Sequence, residues 1–227
     1  MPTRYLLFFL VLPLFAQSAP NHPFLKKQGG IAQLIVHGSP FLVLGGELHN
    51  SSSSDLVYME PIWNRMRDLN LNTVLAGLNW ELIEPEEGRF NFSLVDGLIQ
   101  SARRNNLRLI FLWFGSWKNG MSSYVPLWVK KDYRRFPRVQ IKTGEKIEVL
   151  STLAESNWKA DAAAFAALMS HIREVDGSEH TVIMMQVENE AGVLGDSRDR
   201  CEMAEKAFES ANRIREYMRE KLGINKQ

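Results

Sequence analysis

Cysteine is almost absent from this sequence. The 227 residues include one cysteine, Cys201, and five histidines. A lone thiol cannot form an internal disulfide, and the histidines show none of the spacings that are typical of a protein metal site. The sequence therefore predicts no disulfide framework and no metal site, and we expect no cofactor.

An excess of charge of one sign is also missing. The 27 Lys and Arg residues are balanced by 26 Asp and Glu residues, for a net charge of +1. Such a weak field gives no attraction to nucleic acid or to an anionic membrane, so we expect neither as a partner. Phosphate-binding loops are missing too, because Gly45-Gly46 is followed by Glu47-Leu48-His49 rather than by further glycines. This argues against a nucleotide-dependent enzyme.

Long apolar runs are missing apart from Tyr5–Phe15, which follows Arg4 and precedes the small residues of Ala16-Gln17-Ser18. This layout is typical of a secretory signal peptide, and the run is too short to cross a bilayer as a helix. We therefore expect residues 1–18 to be a leader and residues 19–227 a secreted (or, in a bacterium, periplasmic) domain that is free of the membrane after cleavage. An uncleaved interfacial anchor is the alternative interpretation.

The remaining chain alternates between continuous apolar runs and segments with helical periodicity. This alternation is typical of an α/β fold with a buried parallel sheet. The first unit combines Ile31–Val36 and Phe41–Leu44, separated by a predicted tight turn, with a helix over Leu56–Leu69. Three further strand-then-helix units follow: Thr73–Leu78 with Ser93–Asn105, Leu107–Phe114 with Asn157–Val175, and Thr181–Val187 with Asp199–Leu222.

Two architectures fit this pattern, a doubly wound open sheet and a segment of an eight-fold TIM-type barrel, and periodicity does not separate them. A complete barrel takes about 250 residues for eight units. On the barrel interpretation, the four units of residues 19–227 are the N-terminal part of an incomplete barrel. An open half-barrel exposes two strand edges, so the sequence also predicts self-association through these edges.

Polar and aromatic residues follow each predicted strand, where a parallel α/β fold places its active site. The candidate site residues are Glu47 and His49 after the first unit's strand, Asn79 and Trp80 after the second, Trp117 after the third, and Glu188, Asn189 and Glu190 after the fourth. Carboxylates and amides bind sugar hydroxyls, indoles stack on sugar rings, and a pair of carboxyl groups cleaves glycosidic bonds. For each tryptophan, core packing is the competing interpretation; for Glu188, it is a structural hydrogen bond.

The sequence Gln186-Val187-Glu188-Asn189-Glu190 resembles the QVENE signature of family 35 beta-galactosidases, in the clan that includes family 42. The segments Asn79–Phe92 (NWELIEPEEGRFNF) and Gly45–His49 (GGELH) resemble motifs of the same family after its second and first strands, in the same order. The likeness covers roughly residues 41–195. It implies a (β/α)8 barrel that hydrolyses terminal beta-D-galactosides by a retaining mechanism.

Carried over to this sequence, the resemblance makes Glu190 the general acid/base and Asn189 the amide that binds the sugar 2-hydroxyl. Glu188, Glu47, His49, Asn79, Trp80 and Trp117 are then sugar contacts by position. The family's nucleophile is a glutamate after strand seven, and the chain as read has no residue to match it. We therefore expect the acid/base half of a beta-galactosidase site. The alternative is a catalytically inactive secreted carbohydrate-binding fragment or pseudo-enzyme.

Overall fold

The computed structural model describes residues 22–222, in which a four-stranded parallel sheet is covered by helices. The strands are β1 (Phe24–Gln28), β2 (Ile31–Val36), β3 (Ser39–Pro40), β4 (Gly45–Glu47), β5 (Thr73–Asn79), β6 (Arg108–Phe114), β7 (Arg138–Gln140), β8 (Lys146–Leu150) and β9 (Val182–Val187). The α-helices are α1 (Leu56–Asp68), α2 (Trp80–Ile83), α3 (Ser93–Arg104), α4 (Leu127–Lys131), α5 (Glu155–Asp176) and α6 (Glu202–Leu222), and a 3-10 turn spans Ser52–Ser54. The predicted leader lies outside the described residues.

The order of the strands distinguishes the two architectures that the sequence left open. The parallel sheet runs β4-β5-β6-β9, which is also the order along the chain. A doubly wound sheet reverses its strand order at a switch point, whereas a barrel adds each strand on the same side of the last. Three of the four predicted units are confirmed, as β5 with α3, β6 with α5, and β9 with α6, and the predicted helix of the first unit is confirmed as α1.

Strand β6 is apolar almost throughout because both of its faces are buried. Leu109, Phe111 and Trp113 point into the large core between the sheet and the helices. The alternate residues Ile110, Leu112 and Phe114 join a second cluster on the opposite face of the sheet. This second face corresponds to the inside of a barrel, so the sheet supplies both layers of the core.

Helix α1 shows how the covering helices are held in place. Its N-cap Asp55 accepts a hydrogen bond of 2.9 Å from the Tyr58 N–H, and this satisfies one of the free donors of the first turn. Met59 and Trp63, four residues apart, lie on one helix face and are buried in the helix-side core. Burying each of these side chains contributes about 1.5–3 kcal/mol.

The first unit differs from the prediction. Ile31–Val36 is a strand, but it forms an antiparallel hairpin with β1, which the sequence did not predict, and with the short β3. Phe41–Leu44 is not a strand, and the first parallel strand is Gly45–Glu47. Its glycines allow close packing, since a Cβ at Gly46 would come within 2.7 Å of a Leu71 methyl group.

A long excursion between β6 and α5 was not predicted either. It contains α4 and the antiparallel pair β7–β8. Val139 and Val149 of this pair form a small core with Trp117, which follows β6 directly. The hairpin therefore packs beside the carboxyl end of the sheet, where an active site is expected.

The outer strands of the described sheet are β4 and β9, each with one neighbour in the sheet. Backbone donors and acceptors on an outer edge are open to pairing with another strand. Self-association through these edges stays a prediction. Within residues 22–222, no helix combines the length and the apolar character needed to span a bilayer.

Candidate active site

Glu188, Asn189 and Glu190 form a sharp turn directly after β9. The φ angles of Glu188 and Glu190 are 62° and 52°, in the left-handed region that residues with a Cβ rarely adopt. Such backbone strain costs about 1–3 kcal/mol per residue and clusters at functional sites. The turn places the two glutamates in different surroundings. Glu188 is partly buried, whereas the Glu190 side chain is 59% exposed.

The Glu190 carboxylate is held by the loop that follows β6. Its Oε2 accepts a hydrogen bond of 2.9 Å from the Asn119 N–H and lies 3.5 Å from the Lys118 ammonium. Both of these contacts use Oε2, which leaves Oε1 for a ligand. The acid/base candidate therefore stands at the carboxyl end of the sheet with one oxygen held and the other open.

Lys118 connects the two residues that the sequence placed at the centre of the site. Its side chain is 10% exposed, and its Nζ donates a hydrogen bond of 2.7 Å to Oδ1 of Asn189 while also contacting Glu190. The ammonium also lies 5.0 Å from the centre of the Phe114 ring. Because an ammonium can only donate, it fixes Oδ1 of the Asn189 amide on its own side. The amide NH2 group is then the donor available to a ligand.

Glu188 has a different partner set. Its Oε1 accepts from the Ser116 N–H at 3.1 Å and its Oε2 from the Trp117 N–H at 2.9 Å. Asp161 of α5 reaches the same place, accepting from the Ser116 N–H at 2.6 Å and from the Trp113 indole at 2.8 Å. Burial, followed by the hydrogen bond to Asp161, raises the pKa of Glu188 to about 9.

The sugar-contact prediction for Glu188 is therefore corrected. Both of its oxygens are occupied by the backbone, and its carboxyl stays protonated at neutral pH beside Asp161. The structural hydrogen bond, which the sequence left as the alternative, describes this residue.

The two tryptophan predictions are wrong for a related reason. Trp80 is 0% exposed in the helix-side core, and its indole N–H donates to Glu84 at 2.8 Å. Trp117 is 8% exposed, and its indole N–H donates to the Leu150 carbonyl at 3.0 Å. Neither ring offers a face on which a sugar can stack, because the core covers both of them.

The remaining candidates divide into one buried residue and two exposed ones. Asn79 is buried, and its Nδ2 donates to the Ser54 hydroxyl at 3.1 Å, so its predicted sugar contact is also corrected. Its Oδ1 is buried without a partner among the described residues. Glu47 and His49 are exposed at the carboxyl end of β4, and their role as sugar contacts stays a prediction.

Three residues of this site were missed by the sequence reasoning: Lys118, Asn119 and Asp161. Lys118 and Asn119 precede Gly120 in a turn, and the Asn-Gly pair is a signal for such a turn but not for its contacts. Asp161 had a clearer signal, because it lies in register with Asn157, Ala164 and other buried positions of α5. An acidic residue in a buried register requires a partner inside the protein.

Within residues 22–222, no three or more His, Cys, Asp or Glu side chains are grouped in a way that could hold an ion. The chemical capacity of the site is that of an open carboxyl group, an oriented amide and a buried cation.

Comparison with known proteins gives a consistent result. The family model described as glycoside hydrolase family 42 beta-galactosidase matches residues 54–226. A beta-galactosidase of Xanthomonas manihotis is 27% identical over 194 residues, which is 82% of this chain and 29% of the relative. Beta-galactosidase 14 of Arabidopsis thaliana is 30% identical over 94 residues, which is 40% of this chain and 10% of the relative.

The fold has a solved counterpart. A catalytic mutant of Gan42B, a family 42 beta-galactosidase from G. stearothermophilus, superimposes with a TM-score of 0.57 at 20% identity, covering 76% of this chain and 24% of that one. The chain thus spans less than a third of the Xanthomonas relative and of the solved structure. Of the two families that the motifs resemble, the matching model is that of family 42. The chain belongs to the family 42 beta-galactosidases, a family of glycoside hydrolases.

Proposed function

We propose that this chain carries the acid/base half of a retaining beta-galactosidase site, with Glu190 as the acid/base. The observation that carries this proposal is the free Oε1 of an exposed carboxyl group whose Oε2 is held by Asn119 and Lys118. A general acid must present one oxygen to the glycosidic oxygen in a fixed position. The contacts of Asn119 and Lys118 with Oε2 fix the position of the carboxyl group, and the exposure of the side chain lets a sugar reach Oε1.

Asn189 acts beside it by donating from its amide NH2 group to the sugar 2-hydroxyl. Lys118 supports this role, because it holds the amide oxygen away from the ligand. A hydrogen bond to the 2-hydroxyl strengthens in the transition state of glycoside hydrolysis, so it contributes to rate as well as to binding. The substrate class, terminal beta-D-galactosides, follows the names of the two beta-galactosidase relatives.

The second carboxyl group of the reaction is a glutamate that we expect after the seventh strand of the barrel. In retaining enzymes the nucleophile lies about 5–5.5 Å from the acid/base and attacks the anomeric carbon from the opposite face. Glu188 does not fit this role, because both of its oxygens are bonded to backbone N–H groups and its carboxyl is protonated. The described residues contain the first four strands of the barrel.

We further propose that the enzyme acts outside the cytoplasm, after removal of residues 1–18. The support is the leader-like order of Arg4, the apolar run Tyr5–Phe15 and the small residues that follow. Sequencing the N-terminus of the exported protein tests this, and a mature protein that still begins at Met1 would contradict it.

An NMR titration of this chain with methyl beta-D-galactoside tests the sugar site. We expect the amide signals of Asn119, Asn189 and Glu190 to shift on addition of methyl beta-D-galactoside, with millimolar affinity because few hydrogen bonds are available. The 2-deoxy sugar should bind more weakly to the native chain, and Asn189→Ala should abolish this difference. Equal responses to galactoside and to an unrelated polyol would contradict the proposal.

A chimaera tests the acid/base role. The aligned segment of the Xanthomonas manihotis beta-galactosidase is replaced by this chain, and hydrolysis of a nitrophenyl beta-galactoside is measured. In the Glu190→Ala chimaera, azide should restore turnover and give the beta-galactosyl azide, because azide needs no general base and the activated leaving group needs no acid. The Glu188→Ala chimaera is the matched control and should gain nothing from azide. Rescue of Glu188→Ala instead would transfer the role to that residue.

A further inference from the structure

Two loops meet at the candidate site, and a pair of buried acids lies where they touch. The loop after β6 supplies the N–H groups of Ser116 and Trp117, and the turn after β9 supplies Glu188. Asp161 approaches from α5 and accepts from the same Ser116 N–H as Glu188 does. Two carboxyl groups from different elements thus converge on one backbone donor.

A charge on Asp161 disfavours ionisation of Glu188, because like charges repel in a poorly solvated site. Asp161 is the charged side chain that acts on Glu188; the other groups facing it are the Ser116 and Trp117 N–H groups. The nearby cation, Lys118, is directed at Asn189 and Glu190 instead. Burial and the hydrogen bond to Asp161 raise the pKa of Glu188 to about 9, so Glu188 keeps its proton at neutral pH.

The backbone is shaped to admit this pair. A Cβ on Gly115 would lie 2.4 Å from Oε1 of Glu188 and 2.6 Å from Oδ1 of Asp161. It would also lie 2.4 Å from the Trp113 indole nitrogen. Only glycine leaves room there for the two carboxyl groups and the indole.

On both loops, the residues that make the contacts of this pair lie within three residues of the proposed catalytic groups or of the residues that hold them. Trp117, which Glu188 holds, is followed by Lys118 and Asn119, and these two bind the Glu190 carboxylate. On the other loop, Glu188 is followed by Asn189 and Glu190. A change in the distance between Glu188 and the loop after β6 would therefore move both partners of the acid/base.

We propose that Glu188, which keeps its proton, and Asp161 together are a positioning pair that fixes the loop after β6 against the turn after β9, so that Lys118 and Asn119 hold Glu190 and Asn189 in place. The consequence for catalysis rests on the proposed function of Glu190. The positioning itself does not, because it concerns contacts within the protein. Glu188 is a positioning residue in this assignment, since it does not touch the substrate.

Glu188→Gln is the informative variant. Its amide NH2 can donate to Asp161 as the protonated carboxyl does, and its amide oxygen can still accept from the Trp117 N–H. Ser116 keeps its shorter bond, 2.6 Å, to Asp161. The glutamine therefore reproduces the protonated state and cannot lose its proton. Glu60→Gln, an exposed position on α1, is the matched control.

The test is an NMR titration of the full chain, labelled with 15N and 13C, from about pH 6 to pH 10, without sugar. In the native chain and in Glu60→Gln, the amide signals of Trp117 and Asn119 should move together with a midpoint near the Glu188 pKa of about 9. In Glu188→Gln these signals should match the native neutral-pH positions and show no such step. A step that persists in Glu188→Gln, or that moves Trp117 and leaves Asn119 unchanged, would overturn the proposal.

The 13C signal of the Glu188 carboxyl keeps the proposal testable if the glutamine variant does not fold. A midpoint near 9 in the native chain agrees with a Glu188 carboxyl that keeps its proton at neutral pH, and a midpoint below about pH 6, in the range of ordinary carboxyl groups, refutes the proposal. Since no sugar is present, failure of galactoside binding would count against the proposed function and leave this result intact.

Discussion

Glu188→Gln should remove a marked pH dependence from the stability of this protein. The pKa of Glu188 is about 9 in the folded chain against an ordinary value of 4.5, so between these values the folded state holds a proton that the unfolded state has released. Stability then falls as pH rises, by about 1.4 kcal/mol for each pH unit. From about pH 5 to pH 8 the loss is about 4 kcal/mol, a large part of the about 5–15 kcal/mol that stabilises a typical domain.

The assay is urea unfolding, followed by tryptophan fluorescence, at intervals from about pH 5 to pH 8. Other groups change the curve as well. Burial, followed by the neighbouring His37, lowers the pKa of His180, so its neutral form is favoured by folding and stability is gained as pH rises through its unfolded value. Such contributions are common to both proteins and cancel in the difference between native and variant.

The difference in unfolding free energy between Glu188→Gln and the native chain should grow by about 1.4 kcal/mol per pH unit in favour of the variant. Glu60→Gln, whose carboxyl is exposed, should instead follow the native curve in parallel. Parallel curves for Glu188→Gln and the native chain would refute the reasoning, because they would mean that Glu188 is ionised in the folded state at neutral pH.

Three further predictions test the packing and the contacts of the site. Gly115→Ala should destabilise by about 1–3 kcal/mol in urea unfolding, because its Cβ would lie 2.4 Å from Oε1 of Glu188, whereas Gly192→Ala, whose Cβ has its nearest contact at 4.0 Å, should change little. Lys118→Met should weaken galactoside binding in the NMR titration by about five- to tenfold, the worth of about one hydrogen bond, while Lys130→Met should leave binding unchanged because Lys130 pairs with Glu81. Trp80→Phe should lower stability by about 1–3 kcal/mol through the lost indole bond and volume, with no effect on galactoside binding.

The sequence predicted three of the four strand-helix units, where burial on both sides of the sheet leaves a continuous apolar run, as in β6. It failed at β4 because this strand is three residues long and two of them are glycines, which are more typical of a turn. It left barrel and open sheet unresolved because both place the same apolar strands between helices. Their difference lies in the pairing of β5 with β4 and β6, which leaves no trace in the periodicity.

The same limit explains the tryptophan errors. A tryptophan that follows a strand has the same position in the pattern whether its ring turns into the core or towards a ligand. The hydrogen-bond partner that holds the Trp80 ring in the core is Glu84, four residues later in the chain, and this spacing was visible in the sequence. For Trp117 it is the Leu150 carbonyl, supplied by a hairpin that the sequence did not predict.

Glu188 and Glu190 show why a motif alone cannot assign an acid/base. They are the same residue type, two positions apart in one strained turn, and both are near carboxylate-binding groups of the loop after β6. Asp161 makes the difference, because its approach from α5 keeps the proton on Glu188 and uses both of that residue's oxygens for holding the loops together. Among residues 22–222, the contacts of the Glu190 carboxylate are instead with Lys118 and Asn119 on Oε2, and Oε1 is open. On the proposed function, a proton is passed to the sugar from an oxygen that a ligand can reach, and the α5 aspartate, far from the motif in sequence, is the contact that distinguishes Glu188 from Glu190.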